Sequence, residues 1–261
     1  MVYNTKIIDY GDFLHVEHFD HYISRVDMPE ELQKEVDKLQ QENIISDIES
    51  LPDDKKIEHC LNVSVNRSKN NLYRIARSNT WDLFITLTFD RTIVDSSDYN
   101  ECSKKVSKWL NNIKSRYCPD LKYLIVPELH SDKIHYHFHG LLSNCDNLSL
   151  KDSDRVDSLG AKIYNLSGWS FGFSTASKIK DQSAVRNYIG KYITKDLMNN
   201  LKYKKRYYCS KNVNICPETT HNFTLDDLYS MYGENISFLK TVTINGVNRI
   251  QYMEIKKDVD K

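Results

Sequence analysis

The stretch that decides the fold is LKYLIVPELHSDKIHYHFHGLLS, Leu121–Ser143. It contains two runs rich in β-branched and aromatic residues, joined by the short polar segment HSDK at His130–Lys133. Runs of this composition favour strands, and so short a polar connection favours a hairpin. The sequence therefore predicts two neighbouring antiparallel strands near the middle of the chain.

The second of these strands carries a histidine at every second position, namely His135, His137 and His139. Because side chains alternate between the two faces of a strand, the three imidazoles share one face, and Tyr136 and Phe138 point to the other. The pattern predicts an apolar face that packs in a core and a polar face that is open to chemistry.

A carboxylate on the first strand completes a possible metal site. The predicted hairpin brings Glu128 opposite the histidine row, and two imidazoles with one carboxylate can hold a divalent ion with open positions. His137 and His139 with Glu128 are the first choice of ligands. The pair His135 and His137 is the alternative; otherwise His135 supports a ligand or contacts a phosphate.

Further elements surround the hairpin. WDLFITLTF (Trp81–Phe89) alternates as a strand does, and GWSFGFSTASKI (residues 168–179) predicts another. Helical spacing of apolar residues predicts one helix within residues 96–117 and a second within residues 181–200, with Asp181 as its cap. This order predicts an α+β fold, a largely antiparallel sheet with helices packed on one face.

Composition divides the chain into three parts. Residues 1–79 are polar and predict an N-terminal accessory segment of helical and basic character. Residues 80–200 form the predicted core. Residues 201–261 begin with a basic and aromatic run and continue as a small α/β extension, with a capped helix and a hairpin around Asn245-Gly246.

The predicted second helix contains RNYIGKYITKD, in which Tyr188 and Tyr192 are one turn apart and share a helix face. A phenol ionises near about 10, so it needs a nearby positive charge or metal to act as a nucleophile. Lys191 and Lys195 can supply that charge. Ordinary packing of tyrosines beside an apolar stripe is the alternative.

Two basic runs are candidates for nucleic-acid binding. LKYKKRYYCSK, residues 201–211, interleaves cations with tyrosine rings, as single-strand binding requires. NRSKNNLYRIAR, residues 66–77, could contact phosphates, and a solvated helix face is the equal alternative. The candidate residues are Lys202, Lys204, Lys205, Arg206, Arg67 and Arg74.

Global properties exclude some classes of protein. The formal net charge is +0, with 36 basic and 36 acidic residues, so a basic surface can arise only by local segregation. The sequence has no apolar run of membrane-spanning length and no signal-peptide pattern, which predicts a cytoplasmic protein with no membrane partner. The six cysteines form no C-x-x-C pair, and a Walker motif is missing.

Three segments in this order resemble the HUH endonucleases, and within them the two-tyrosine rolling-circle replication initiators of plasmids and phages. They are FITLTF (Phe84–Phe89), HFHGLL (His137–Leu142) and YIGKYITK (Tyr188–Lys195). The resemblance implies an HUH, RRM-like core and Mg²⁺ or Mn²⁺ held by His137, His139 and Glu128. It also implies that Tyr188 or Tyr192 nicks single-stranded origin DNA, forms a 5′-phosphotyrosine bond and later rejoins the strand.

Further partners and rival functions follow from the same residues. The missing Walker motif implies a host helicase in trans, and the free 3′-OH implies a host polymerase. One rival is a zinc metallohydrolase that uses the histidine row to activate water. The other is a non-catalytic regulator that binds single-stranded nucleic acid on the same fold. The sequence leaves open which tyrosine attacks first.

Overall fold

The computed structural model describes residues 1–24, 53–157, 160–182, 184, 189–192, 204–244 and 248–257. The chain forms two compact units. Unit 1 combines Met1–Asp53 with Cys216–Lys261, and unit 2 is Asp54–Ile215. The boundaries predicted from composition, after residues 79 and 200, differ from this division.

The described elements are three helices, two 3₁₀ turns and twelve strands. In chain order they are β1 (Val2–Asp9), β2 (Phe13–Ser24), α1 (Asp53–Arg77), β3 (Leu83–Thr88), α2 (Tyr99–Arg116), β4 (Lys122–Leu129), β5 (Tyr136–Ser143), β6 (Leu150–Val156), β7 (Lys162–Leu166), β8 (Ser174–Lys178), a 3₁₀ turn (Ile189–Tyr192), β9 (Tyr208–Cys209), β10 (Glu218–His221), α3 (Leu225–Tyr232), a second 3₁₀ turn (Gly233–Asn235), β11 (Ile236–Ile244) and β12 (Asn248–Lys256).

Unit 2 is built on a seven-stranded sheet with the order β6-β7-β8-β3-β5-β4-β9. Every described pair in it is antiparallel. The predicted hairpin is confirmed, since β4 pairs with β5 and Ile125 lies opposite Gly140. A Cβ at Gly140 would collide with the Ile125 side chain, so the two central strands need glycine here. The predicted α+β class, with an HUH or RRM-like core, is confirmed.

One face of this sheet is the main core. Leu87 and Phe138 are opposite one another on neighbouring strands, and both are fully buried. Helix α2 begins on this face, where the Tyr99 ring contacts the Phe138 ring at 6.4 Å. The Asp98 side chain caps α2 by accepting a hydrogen bond from the Asn100 backbone. The buried stripe of α2 comprises Tyr99, Cys102, Val106, Trp109, Leu110 and Ile113.

The other face is covered in part by the 3₁₀ turn Ile189–Tyr192, which packs on β4 and β5. Ile189 is fully buried there. The Asp181 carboxylate accepts a hydrogen bond from the Ala184 backbone, as the predicted cap requires. Most other residues of the helix predicted for 181–200 lie outside the described residues.

Unit 1 contains a five-stranded sheet with the order β10-β1-β2-β12-β11. The predicted C-terminal helix and hairpin are confirmed as α3 and as the pair β11 and β12. Thr224 and Asp227 form a capping box at the start of α3. Strands β1 and β2, in a segment for which the sequence predicts no strand, complete the sheet. None of the described helices has the length and apolarity needed to cross a bilayer.

Candidate metal centre

Three side chains converge on the open face of the seven-stranded sheet. Glu128 on β4 lies directly opposite His137 on β5, and His139 follows two residues later on the same face. The Glu128 Oε2 atom is 2.6 Å from His137 Nε2 and 2.7 Å from His139 Nε2. The two Nε2 atoms are 3.3 Å apart. The register of the hairpin therefore brings the first-choice ligands together.

This arrangement fits a divalent metal ion. Among the described residues, Glu128, His137 and His139 form the one group whose ligand atoms all lie within 4.8 Å of one another. Ligand atoms at right angles, each about 2.0–2.2 Å from an ion, are about 3 Å apart, which matches the observed spacings. Three protein ligands leave positions open for a substrate oxygen. The donor set is compatible with several divalent ions, so it does not identify one.

Thr86 on β3 orients one of the imidazoles. Thr86 lies opposite His139, and its hydroxyl is 3.1 Å from His139 Nδ1. A hydroxyl can donate or accept, so it serves either tautomer of the ring. When the proton is on Nδ1, the Nε2 lone pair faces the Glu128 carboxylate and is available to a metal.

The protonation states suit metal binding at neutral pH. Partial burial alone would raise the pKa of the Glu128 carboxyl, but hydrogen bonds from His137 and His139 outweigh this and lower the pKa to about 2. Burial lowers the pKa of His139 below its ordinary value, although the hydrogen bond to Glu128 opposes this. The centre therefore holds an ionised carboxylate and a neutral imidazole, the forms that bind metals.

His135 lies apart from the three converging side chains. Its Nδ1 atom is 2.7 Å from an Asp132 carboxylate oxygen, and Arg91 donates to the same oxygen at 3.0 Å. Backbone hydrogen bonds from Ile134 and His135, together with the imidazole, hold the pKa of Asp132 well below its usual range. Beside His135 is a groove of about 370 Å³ lined mainly by residues 91–96. Asp132 is a polar partner that the sequence reasoning did not identify.

Tyr192 is in direct contact with the centre. Its ring stacks on the His139 ring with centroids 3.8 Å apart and an interplanar angle of 9°. The residue is only 4% exposed. The Lys191 ammonium, on an exposed residue, is 5.7 Å from the centroid of the Tyr192 ring. Tyr188 and Lys195, the other predicted catalytic residues, lie outside the described residues.

The candidate DNA-contacting cations fall on α1 and before β9. Lys204 and Lys205 are exposed, with their ammonium groups over the Tyr99 and Tyr208 rings at 5.4 and 5.7 Å. Arg206 donates to the Ser68 hydroxyl of α1 at 2.9 Å, so it lies near the helix that carries the other candidate arginines. Arg67 is exposed and Arg74 half-buried on that helix. Lys202 lies outside the described residues.

Sequence reasoning missed Thr86 although its signal was present. FITLTF alternates, so its two threonines share the strand face opposite to Ile85 and Leu87. Pairing that polar face with the histidine row would have identified Thr86 as a neighbour of His139. The pairing of β3 with β5 is not visible in local periodicity, because the strands are separated by α2 and β4.

Residues 82–197 match the model of a family of replication-associated proteins, the ORF2 family. The matched segment is less than half of the chain, and it contains all three segments that resemble replication initiators. The match supports a replication-initiator relationship for the region that forms the candidate metal centre. No curated protein and no solved structure matches the chain.

Proposed function

We propose that the protein initiates rolling-circle replication by nicking single-stranded origin DNA with a tyrosine nucleophile and later rejoining the strand. The observation that carries the proposal is the convergence of Glu128, His137 and His139 beside the stacked ring of Tyr192. The family match over residues 82–197 supports the choice of replication over other reactions of a metal centre.

In this proposal the protein supplies a nucleophile and a metal-binding surface. Glu128, His137 and His139 hold Mg²⁺ or Mn²⁺, which polarises the scissile phosphate when it is bound. The phenolic oxygen of Tyr188 or Tyr192 attacks phosphorus, the new Oη–P bond forms and the P–O3′ bond breaks. The products are a 5′-phosphotyrosine and a free 3′-OH.

The two tyrosines divide the reaction between them. The covalent bond conserves the energy of the phosphodiester, so the strand can be rejoined without ATP. One tyrosine holds the DNA while the other performs the closing transfer. Lys191 beside Tyr192 favours the ionised phenol by electrostatic attraction, and we assign the same role to Lys195.

The surroundings of the reaction follow from its products. The free 3′-OH is extended by a host polymerase, and a host helicase unwinds the duplex in trans, because the chain has no Walker motif. Lys202, Lys204, Lys205 and Arg206, with Arg67 and Arg74, contact phosphates of the bound strand. We place the reaction in the cytoplasm, on a plasmid or phage origin.

The test is a denaturing gel of the purified chain after incubation with labelled single-stranded oligonucleotides that tile the origin region, in Mn²⁺ or in EDTA. We expect a protein–DNA band that survives denaturation in Mn²⁺ only. The band should disappear in the double variant Tyr188→Phe/Tyr192→Phe and fall at least about 100-fold in His137→Ala. Comparing the two single tyrosine variants shows which residue attacks first.

Matched controls separate chemistry from folding. Tyr117→Phe changes a half-exposed tyrosine just after α2 and should leave the band unchanged. Metal-dependent cleavage without a protein-linked product would instead favour the zinc metallohydrolase, whose donor set of histidines and a carboxylate is the same. Tight DNA binding with no cleavage in any metal would favour the non-catalytic regulator.

A further inference from the structure

One cross-strand row on the open face of the seven-stranded sheet extends beyond the metal centre. Glu128 on β4 lies opposite His137 on β5, and His137 lies opposite Thr88 on β3. The Thr88 backbone N–H donates to the Phe173 carbonyl at 2.9 Å, which continues the row to the residue before β8. The row thus runs from a candidate metal ligand to an aromatic residue across four chain segments.

The Phe173 side chain belongs to the same face as the metal centre. Ser174 pairs with Leu87 of the core face, and its buried hydroxyl accepts a hydrogen bond from the Leu166 backbone. Because successive side chains of an extended chain alternate, Phe173 projects from the opposite face, which carries Thr88 and His137. Phe173 is 75% exposed, more than any other large hydrophobic residue among those described.

The spacing places this ring within reach of the same DNA strand. Neighbouring strands are about 4.8 Å apart, so the backbones of Phe173 and His137, two strands apart, are separated by about 10 Å. At a rise of about 3.4 Å per nucleotide in a stacked strand, that distance corresponds to no more than about three nucleotides. A strand whose phosphate is at the metal centre would therefore pass over Phe173.

Gly172 fixes the position of the ring. Its φ of 148° lies in a region that L side chains rarely adopt, and a Cβ there would collide with the Thr88 carbonyl and the Asp90 backbone nitrogen. Hydrogen bonds on both sides, from Thr88 to Phe173 and from Asp90 to Phe171, hold the backbone against β3. An exposed ring on a fixed backbone loses little conformational entropy when a ligand packs on it.

We propose that Phe173 is a stacking platform for an unpaired base close to the scissile phosphate of single-stranded DNA. The identity of the occupant rests on the proposed function, whereas the position of the ring does not. Every base has a π-face, so the contact tolerates any sequence. Thr88 and Thr175, half-buried threonines on the same face, contribute hydroxyls that suit the sugar and phosphate of that nucleotide.

The test is equilibrium binding of a fluorescein-labelled thymidine oligonucleotide of about 16 nucleotides in EDTA, followed by fluorescence anisotropy. Phe173→Leu keeps an apolar side chain but removes the ring, and should weaken binding by about 5- to 100-fold. Phe173→Trp keeps a ring and should bind within about threefold of wild type. Tyr117→Leu removes another exposed ring on unit 2 and should have no effect.

Every outcome decides the inference. Unchanged binding by Phe173→Leu, an equal loss in the Leu and Trp variants, or no binding by wild type would each overturn it. Thermal unfolding of each variant checks that the fold is intact. The covalent-adduct gel, run in parallel, tests the proposed function separately: an adduct with unaffected Phe173→Leu binding sinks the platform alone, and lost binding without any adduct sinks the nickase alone.

Discussion

On one face of the seven-stranded sheet, Ile85, Leu87 and Phe138 are fully buried on the side where α2 packs. On the other face of the same strands, Thr86 and His137 are half-buried and contribute to a polar cluster. The two sets of residues alternate along the chain, so immediate neighbours belong to different faces. The comparison teaches that stability and chemistry are divided between adjacent residues, and that substitutions one position apart should have different consequences.

The largest expected effect concerns the buried face. Phe138→Ala should lower the free energy of unfolding by about 3–5 kcal/mol, because it leaves a cavity among the Tyr99, Phe89 and Tyr208 rings. Chemical denaturation followed by circular dichroism measures the change. His137→Ala, one residue away, is the control and should cost less than about 1 kcal/mol. Similar losses in both variants would contradict the division between faces.

The next effect concerns metal on the open face. At a Mn²⁺ concentration about 100 times its dissociation constant, the wild type should gain about 2.7 kcal/mol in unfolding free energy, because the ion binds only the folded state. Differential scanning calorimetry with and without Mn²⁺ measures the gain. His137→Ala should abolish it, whereas His15→Ala, which changes a histidine of unit 1, should keep it. A gain that persists without His137 would move the metal site elsewhere.

A third prediction tests the edge of the open face. Gly172→Ala should destabilise the fold by about 1–3 kcal/mol, because alanine is strained at this φ and its Cβ meets backbone atoms of β3. It should also weaken binding of single-stranded DNA by displacing Phe173. Gly11→Ala, at a positive φ with open space around it, is the matched control for backbone strain and should leave DNA binding unchanged. Intact binding in Gly172→Ala would show that the ring position does not depend on this glycine.

The smallest effect compares His139 with a buried histidine outside the centre. His18 lies opposite Thr5 in unit 1 and forms a hydrogen bond of 3.0 Å with it. Burial lowers the pKa of His18, against the raising effect of Asp20. The unfolded chain therefore binds more protons as pH falls from its ordinary value of about 6.5 towards the folded value. This histidine should thus favour folding above that window and lose its contribution below it.

The measurement is the change in melting temperature between pH 7.5 and pH 5.5, in EDTA to exclude metal binding. We expect the wild type to lose about 1–2 °C more than His18→Gln, which cannot gain the proton. The comparison between variants removes the effect of other titrating groups that the two proteins share. An equal pH dependence in both would show that His18 is not a source of acid sensitivity.

Much of unit 2 could be predicted because its signals are local. Alternation in FITLTF and in the histidine strand is sufficient to define β3 and β5, and the short polar connection fixes the hairpin register that joins Glu128 to His137. The apolar stripe of α2 follows helical spacing. These features depend on residues close together in the sequence, where periodicity is informative.

The remainder depends on pairings between distant segments. Strand β1 pairs with β10, so Ile8 meets Glu218 across most of the chain, and no local pattern in either segment indicates its partner. The stack of Tyr192 on His139 likewise requires the 3₁₀ turn to cross the open face. Phe173 looks like an ordinary strand residue in the sequence, and only the pairing of its backbone with Thr88 reveals its place beside the centre.

The alternation of His137 and Phe138 on β5 also links folding accuracy to activity. If β5 paired with β4 one residue out of register, Phe138 would turn to the open face and His137 would enter the core. Such a misfolded chain would lose its core and its metal ligands in a single error. Natural selection for a working centre would therefore act as a check on strand register, without any separate pressure for stability.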